Sequence, residues 1–248
     1  VASDLGFAAG PRLNAAGRLT DMSLGVECLL SDTEEAAGQM ASELQALNLT
    51  RREIEADMSE EALSQVDAMT QSSAPPPALA LFKEDWHPGV VGIVASRVKD
   101  RVHRPVVAFA QDGEHRLKGS ARSIPGLHIK DALERVAAQR GDLIERFGGH
   151  AMAAGLTIAS ANLSAFREAF EQVVMDVLGP DGSERSVLTD GSLKPAELNL
   201  QLASALRAGG PWGQGFEEPQ FDGEFEVRAQ RIVGERHLKL KLRMAGSN

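Results

Sequence analysis

Between Ser31 and Ser72 the apolar residues Met40, Leu44, Leu47, Ile54, Met58, Val66 and Met69 recur at three- and four-residue steps or their multiples, the period of one continuous amphipathic helix. Ser31 with Glu34 reads as a capping box at its start. The prolines of SSAPPPA, Ser72 to Ala78, end it, because consecutive prolines cannot continue a helix, and they mark a candidate stiff joint. At 1.5 Å per residue, a helix of some 40 residues spans about 60 Å. A rod of that length reads as a strut between domains rather than a packed element of one domain, with its acidic face in solvent.

Charge is distributed unevenly along the chain. The helical segment holds ten acidic residues against two arginines, whereas Leu79 to Ile158 holds twelve Lys and Arg against nine Asp and Glu. A formal net charge of −9 argues on its face against a nucleic-acid partner, since phosphate binding leaves a basic footprint. Most of that acidity belongs to the helix, so the objection does not reach the segment that follows it.

After the prolines, strand-like runs alternate with helical ones. Ala78–Phe82, Pro105–Ala110, Arg116–Ser123 and Ala154–Ala159 read as strands. Helices are expected over Gly89–Val102, around Ile129, Leu133 and Val136, and from Leu163 to a stop at Gly179 and Pro180. This interleaving predicts an α/β domain over residues 74–180. The segment 181–210 reads as a connector with a helical piece near Pro195 to Arg207. Residues 211–248 follow, with GPWGQGFEEPQF and two strand-like runs, Phe221–Val233 and His237–Met244, pairing as a hairpin across Gly234 to Arg236. A lone hairpin is marginal, so the chain looks cut inside a β domain. GFAAGPRLNAAGRL, Gly6 to Leu19, has no core of its own and looks like the end of something upstream.

The 248 residues permit one large domain or two, and the apolar content, 43%, supplies real cores. The single cysteine, Cys28, cannot form an internal disulfide and fits a buried packing role in a reducing compartment. No apolar run approaches the roughly 20 residues of a membrane helix, and the start lacks a signal peptide's pattern, so a cytoplasmic location is expected.

Four stretches carry candidate chemistry. In FGGHAMAAG, Gly148 and Gly149 let backbone approach a ligand, small residues follow, and the His150 imidazole could donate to a phosphate oxygen or act as an acid or base. A tight turn around a core histidine is the competing reading. In KGSARS, Ser120 and Arg122 alternate onto one face of a strand, a hydroxyl beside a guanidinium fork, suited to phosphate or to an ordinary polar face. GPRLNAAGR offers Arg12, Asn14 and Arg18 among glycines, as a donor-rich loop or plain surface. In DWHPGVVGIVASR, Pro88 and Gly89 open a helix whose free N–H groups could hold an anion, while Trp86 and His87 fit packing better. The six histidines, His87, His103, His115, His128, His150 and His237, show no metal-ligand spacing, and no Walker A, GxSxG or GxGxxG motif occurs.

These stretches in this order, with GPWGQGFEEPQF after them, resemble the single-stranded-DNA exonucleases of the DHH/DHHA1 phosphoesterase superfamily along essentially the whole chain. The resemblance implies a DHH domain with two Mn²⁺ or Mg²⁺ ions, a long connecting helix, a DHHA1 domain closing the cleft, and an OB fold guiding the strand. By that comparison the chain holds a remnant of the DHH domain over 1–30, the helix over 31–73, the DHHA1 domain and the start of an OB-like domain, without the metal ligands. It further implies that His150 faces the scissile phosphate, that Gly148 and Gly149 carry it there, and that Ser120 and Arg122 grip the 5′ phosphate or a neighbour. Arg12, Asn14 and Arg18 would face the DNA backbone. The implied substrate is single-stranded DNA with a 5′ end, digested 5′ to 3′ in repair and recombination, with single-strand-binding protein or a helicase as partners and no membrane. Two rivals stand beside it: a phosphoesterase for short oligonucleotides or nucleotides, and a non-catalytic DHHA1 binding or scaffold module of the kind found in alanyl-tRNA synthetase.

Overall fold

The computed structural model describes residues 4–70, 76–180, 186–213, 215–234 and 237–244. They form two compact units, Val1–Arg185 and Ser186–Asn248.

In the first unit a π-helical turn, Leu5–Ala9, runs into α1 (Gly10–Leu19), followed by α2 (Ser23–Leu30) and α3 (Glu34–Thr70). GPRLNAAGRL is thus a helix and not a loop. Pro11 sits in the first turn, where its missing N–H costs nothing, and Ala15 and Ala16 are the small residues that let α1 lie close on its neighbour. Cys28 on α2 is half-buried, its Sγ near the Ala37 carbonyl at the start of α3.

At 37 residues α3 is about 56 Å long. Its cap is Thr33, whose hydroxyl accepts from the Ala36 N–H; Ser31 instead donates to the Thr33 carbonyl, so the expected capping box does not form. Nor does the helix stand free as a spacer. Leu44 and Asn48 are buried near its start, and Met58, Ala62 and Val66 join the core beneath β1 and α4. The buried Glu55 pairs with Arg51 one turn earlier and with Arg97 of α4, and Arg51 also donates to the buried Asn48 at 2.5 Å. A rod with one packed face is still long, but its position is fixed along most of its length. The residues 71–75, which include Ser72 and Pro75 of the expected joint, lie outside the described residues.

Five strands follow: β1 (Leu79–Phe82), β2 (Val106–Gln111), β3 (Arg116–Arg122), β4 (Arg146–Gly149) and β5 (Ala153–Ala159), in the order β1-β2-β3-β5-β4. Helix α4 (Val91–Val102) crosses between the parallel pair β1 and β2, and the other pairings are antiparallel. Helices α5 (Ile129–Gln139) and α6 (Leu163–Leu178) cover one face through Phe109, Leu117, Leu156, Ile158, Phe166 and Phe170. Helices α3 and α4 cover the other face over β1 and β2, through Leu79, Leu81, Val106, Ala108 and Ala110, and α4 reaches on to the Ser120–Arg122 end of β3. Trp86 belongs to this second core and donates its indole N–H to Glu61 of α3 at 2.9 Å, as the packing reading expects.

Glu61 also receives Lys83, at 2.5 Å, and these two hydrogen bonds, Lys83 first, hold its carboxyl below the ordinary value. A carboxylate whose pKa is lowered by folding adds stability above its unfolded pKa and loses it as pH falls through the folded one. Glu61→Gln is therefore expected to leave less acid-side pH dependence in urea titrations of stability. An unchanged acid limb would show that the ion pair is too solvated to matter.

The second unit contains α7 (Leu200–Gly209) and an antiparallel hairpin of β6 (Phe225–Val233) and β7 (His237–Met244). Its turn includes Gly234 at φ 62°, while residues 235–236 lie outside the described residues. Within this unit a cavity of about 280 Å³ lies among Leu198, Leu202, Leu206, Phe221, Phe225 and Met244. Asp222 ties its entry segment down by accepting from the hydroxyls of Thr189 and Ser192.

Candidate nucleic-acid interface

The face of the sheet left open by α3 and α4 consists of β5, β4 and the Lys118 end of β3, with Ser120 and Arg122 at the border with α4. Direct cross-strand partners share a face, so the register sets out three rows. Lys118, Thr157 and Arg146 make one, Ser120, Gly155 and Gly148 the next, and Arg122 with Ala153 the third. His150 extends that third row, its backbone N–H bonded to the Ala153 carbonyl at 2.8 Å.

Ser120 and Arg122 meet α4 at Gly92, where a Cβ would lie 2.8 Å from Arg122 Nη2 and 3.4 Å from Ser120 Oγ. One turn on, Ser96 Oγ accepts from Arg122 Nε at 3.1 Å and donates to the Gly92 carbonyl. Arg122 Nη1 donates to the Ala121 carbonyl at 2.8 Å. Gly92 and Ser96 are thus the seat of the guanidinium, and the sequence reading did not single them out. Their signal is small side chains one turn apart in a helix otherwise filled by Val90, Val91, Val94 and Val98.

Helix α1 brings Arg18 to the same place. Its Nη1 donates to the Gly89 carbonyl at 3.0 Å, and a Cβ on Gly89 would lie 2.0 Å from the Arg18 carbonyl oxygen, so the two backbones touch. Burial first, and then the charge of Arg18, holds the Arg122 guanidinium below its ordinary pKa. Among the described residues neither arginine pairs with a carboxylate. Two guanidiniums held close together with no carboxylate beside them create a local positive potential that favours an anion.

The remaining candidates divide. Asn14 lies one turn before Arg18 and shares its exposed helix face. Arg12 is on the other side of α1, donating to Gln45 of α3 at 2.7 Å and to the Ala8 carbonyl, so helix phase separates it from Arg18. The N–H groups of Gly89, Val90 and Val91 all bond to His87, its ring Nδ1 or its carbonyl, so the expected free donors at the start of α4 are taken.

Gly148 and Gly149 are the end of edge strand β4, a strand the sequence reading treated as a loop. Gly149 has φ 153°, and a Cβ there would meet Ala153 and Ala154 at 2.4 Å, so the hairpin requires glycine. His150 is exposed, and its imidazole makes no hydrogen bond among the described residues. Among those residues no group of three His, Cys, Asp or Glu could hold a metal ion, so no metal-dependent step is derived from them.

This α/β sheet, with one half bared and two arginines paired where α1 and α4 meet its middle strand, is of the DHHA1 class: residues 76–176 match the family model of the DHHA1 domain. Residues 189–248 match that of the RecJ OB domain. The chain belongs to the RecJ family. It is 53% identical to the single-stranded-DNA-specific exonuclease RecJ of Salmonella typhimurium and 52% to that of Escherichia coli, in each case over 99% of this chain and 43% of the relative's length. The crystal structure of RecJ from Thermus thermophilus in complex with Mg²⁺ superposes with a TM-score of 0.80 at 33% identity, over 99% of this chain and 37% of that one. The Mn²⁺ complex of the same protein superposes equally, with a TM-score of 0.80.

Proposed function

We propose that this chain is the strand-gripping portion of a metal-dependent exonuclease specific for single-stranded DNA, a phosphodiester hydrolase. The observation that carries this reading is the Arg18–Arg122 pair, without a carboxylate partner among the described residues, beside Ser120 where the open face meets α4. Arg122 binds two phosphate oxygens through its fork, Ser120 donates to a third, and Arg18 closes the clamp from α1, with Asn14 alongside. His150, whose imidazole has no partner among the described residues, hydrogen-bonds the scissile phosphate, and Gly148 and Gly149 let the backbone approach it. Mn²⁺ or Mg²⁺, which the Thermus relative binds, is assigned to a DHH domain outside these 248 residues, where it would supply a water nucleophile. Digestion from a 5′ end, service in DNA repair and recombination, contact with single-strand-binding protein or a helicase, and a cytoplasmic location belong to the same reading. Among the described residues no helix is long and apolar enough to cross a membrane.

Fluorescence anisotropy with a 5′-phosphorylated single-stranded oligonucleotide tests it. Binding is expected to weaken steeply with salt and to fall by roughly tenfold or more in Arg122→Ala, since a charge-assisted hydrogen bond contributes about 1.5–3 kcal/mol. Binding indifferent to that substitution would remove the clamp from the function. Adding Mn²⁺ to the purified chain is expected to give no hydrolysis; turnover abolished by His150→Ala would contradict the assignment of the metals to another domain.

A further inference from the structure

We infer that Lys118 and Arg146, straddling Thr157, form a second phosphate subsite on the open sheet that holds an internal backbone phosphate of the strand. The inference rests on the reading above and extends it from one phosphate to a track. Lys118, Thr157 and Arg146 lie directly across β3, β5 and β4, with Thr157 in the middle. Thr157 is 3% exposed, and its hydroxyl accepts from Arg146 Nε at 3.1 Å, so the guanidinium is seated and its two terminal nitrogens remain for a ligand. The Lys118 and Arg146 side chains are exposed and pair with no carboxylate among the described residues. Together with Gly148, Gly155 and Thr157 they line an open cavity of about 350 Å³.

The floor between this row and the clamp is bare in a way that the fold does not require. A Cβ on Gly148 would meet nothing within 4 Å, and one on Gly155 only the Gly119 carbonyl oxygen at 3.9 Å; neither φ lies in the region that favours glycine. Packing and backbone would both accept alanine there, so the missing side chains leave room for something that lies across the sheet. Two residues along a strand advance about 6.7 Å, which places Lys118, Ser120 and Arg122 at a spacing comparable to that of successive phosphates in an extended nucleic-acid chain. The clamp takes the terminal phosphate, the glycine row passes the nucleotide that follows, and the Lys118–Arg146 row, two such steps or about 13 Å from Arg122, takes an internal phosphate beyond it.

The test uses the whole chain and compares thymidine 5′-monophosphate, followed by NMR titration, with 5′-phosphorylated oligothymidylates, followed by anisotropy across a salt series. Lys118→Gln and Arg146→Gln are each expected to leave the mononucleotide affinity unchanged, to weaken the oligonucleotide by roughly tenfold, and to lower its salt slope by about 1. Thr157→Val, which removes the seat but not the charge, is expected to repeat the Arg146→Gln loss in part. Equal losses for mononucleotide and oligonucleotide, or no loss for either, overturn the second subsite. Arg122→Ala separates the two failures: it must weaken both probes, and if it weakens neither, or if nothing binds the wild-type chain, the proposed function falls and the subsite with it.

Discussion

Gly89→Ala should separate α1 from α4 and disable the clamp while leaving the five-stranded sheet folded. The added Cβ would lie 2.0 Å from the Arg18 carbonyl oxygen and 2.9 Å from its carbon, and both are backbone atoms that no rotamer change can move aside. One helix must shift, and α4 is held by Val91, Val94, Ala95 and Val98 in the core and by Arg97 to Glu55. The movement therefore falls on α1, and it breaks the hydrogen bond from Arg18 to the Gly89 carbonyl. Forcing extra volume into a packed contact costs about 1–3 kcal/mol. The effect on binding should be larger than that on stability, because Arg18 leaves the site altogether. Hydrogen exchange of the α1 amides alongside oligonucleotide affinity is the measurement. Wild-type affinity with α1 still protected would mean that the contact is looser than its geometry implies.

The second large effect lies under the opposite face of the sheet. Phe166 is fully buried on α6, edge-on to Phe109 of β2 at 5.4 Å and stacked with Phe170 at 5.6 Å. Phe166→Ala removes both ring contacts and leaves a cavity between α6 and the sheet. Its expected cost is about 3–5 kcal/mol, a large part of the roughly 5–15 kcal/mol that keeps a typical domain folded. Urea unfolding of the first unit should show it directly. Phe225→Ala, at a residue 41% exposed in the second unit, is the matched control and should cost far less. Near-equal losses would show that the second unit carries a core of comparable tightness.

Much of the architecture was legible in the sequence because it rests on local periodicity. The long helix followed from apolar residues at helical steps, and four of the five strands in the first unit from short strand-like runs interleaved with helical ones. β4 was not legible, since Arg-Phe-Gly-Gly has little intrinsic strand preference and becomes a strand only by pairing with β5. GPRLNAAGRL looked like a loop for a related reason: its glycines and alanines serve close helix packing, which local composition cannot distinguish from flexibility. In the site, the alternation of β3 was enough to put Ser120 and Arg122 on one face. The partnership of Arg18 with Arg122 was not, because it joins residues more than a hundred positions apart through a helix phase that only folding decides. The same phase turns Arg12 away from them. Lys118 opens KGSARS and Arg146 stands just before FGGHAMAAG, outside it, and their meeting across Thr157 depends on the order of three strands.

If the proposed clamp is the site of binding, the contact between α1 and the start of α4 also determines when a ligand can be gripped. Half of the clamp rides on α1 and half on the middle strand of a sheet that comes later in the sequence. On the proposed function neither half alone presents both guanidiniums, so affinity is expected only after both have docked. A nascent or partly unfolded chain would then hold no strand, and ligand capture becomes a checkpoint on assembly, present in full or not at all.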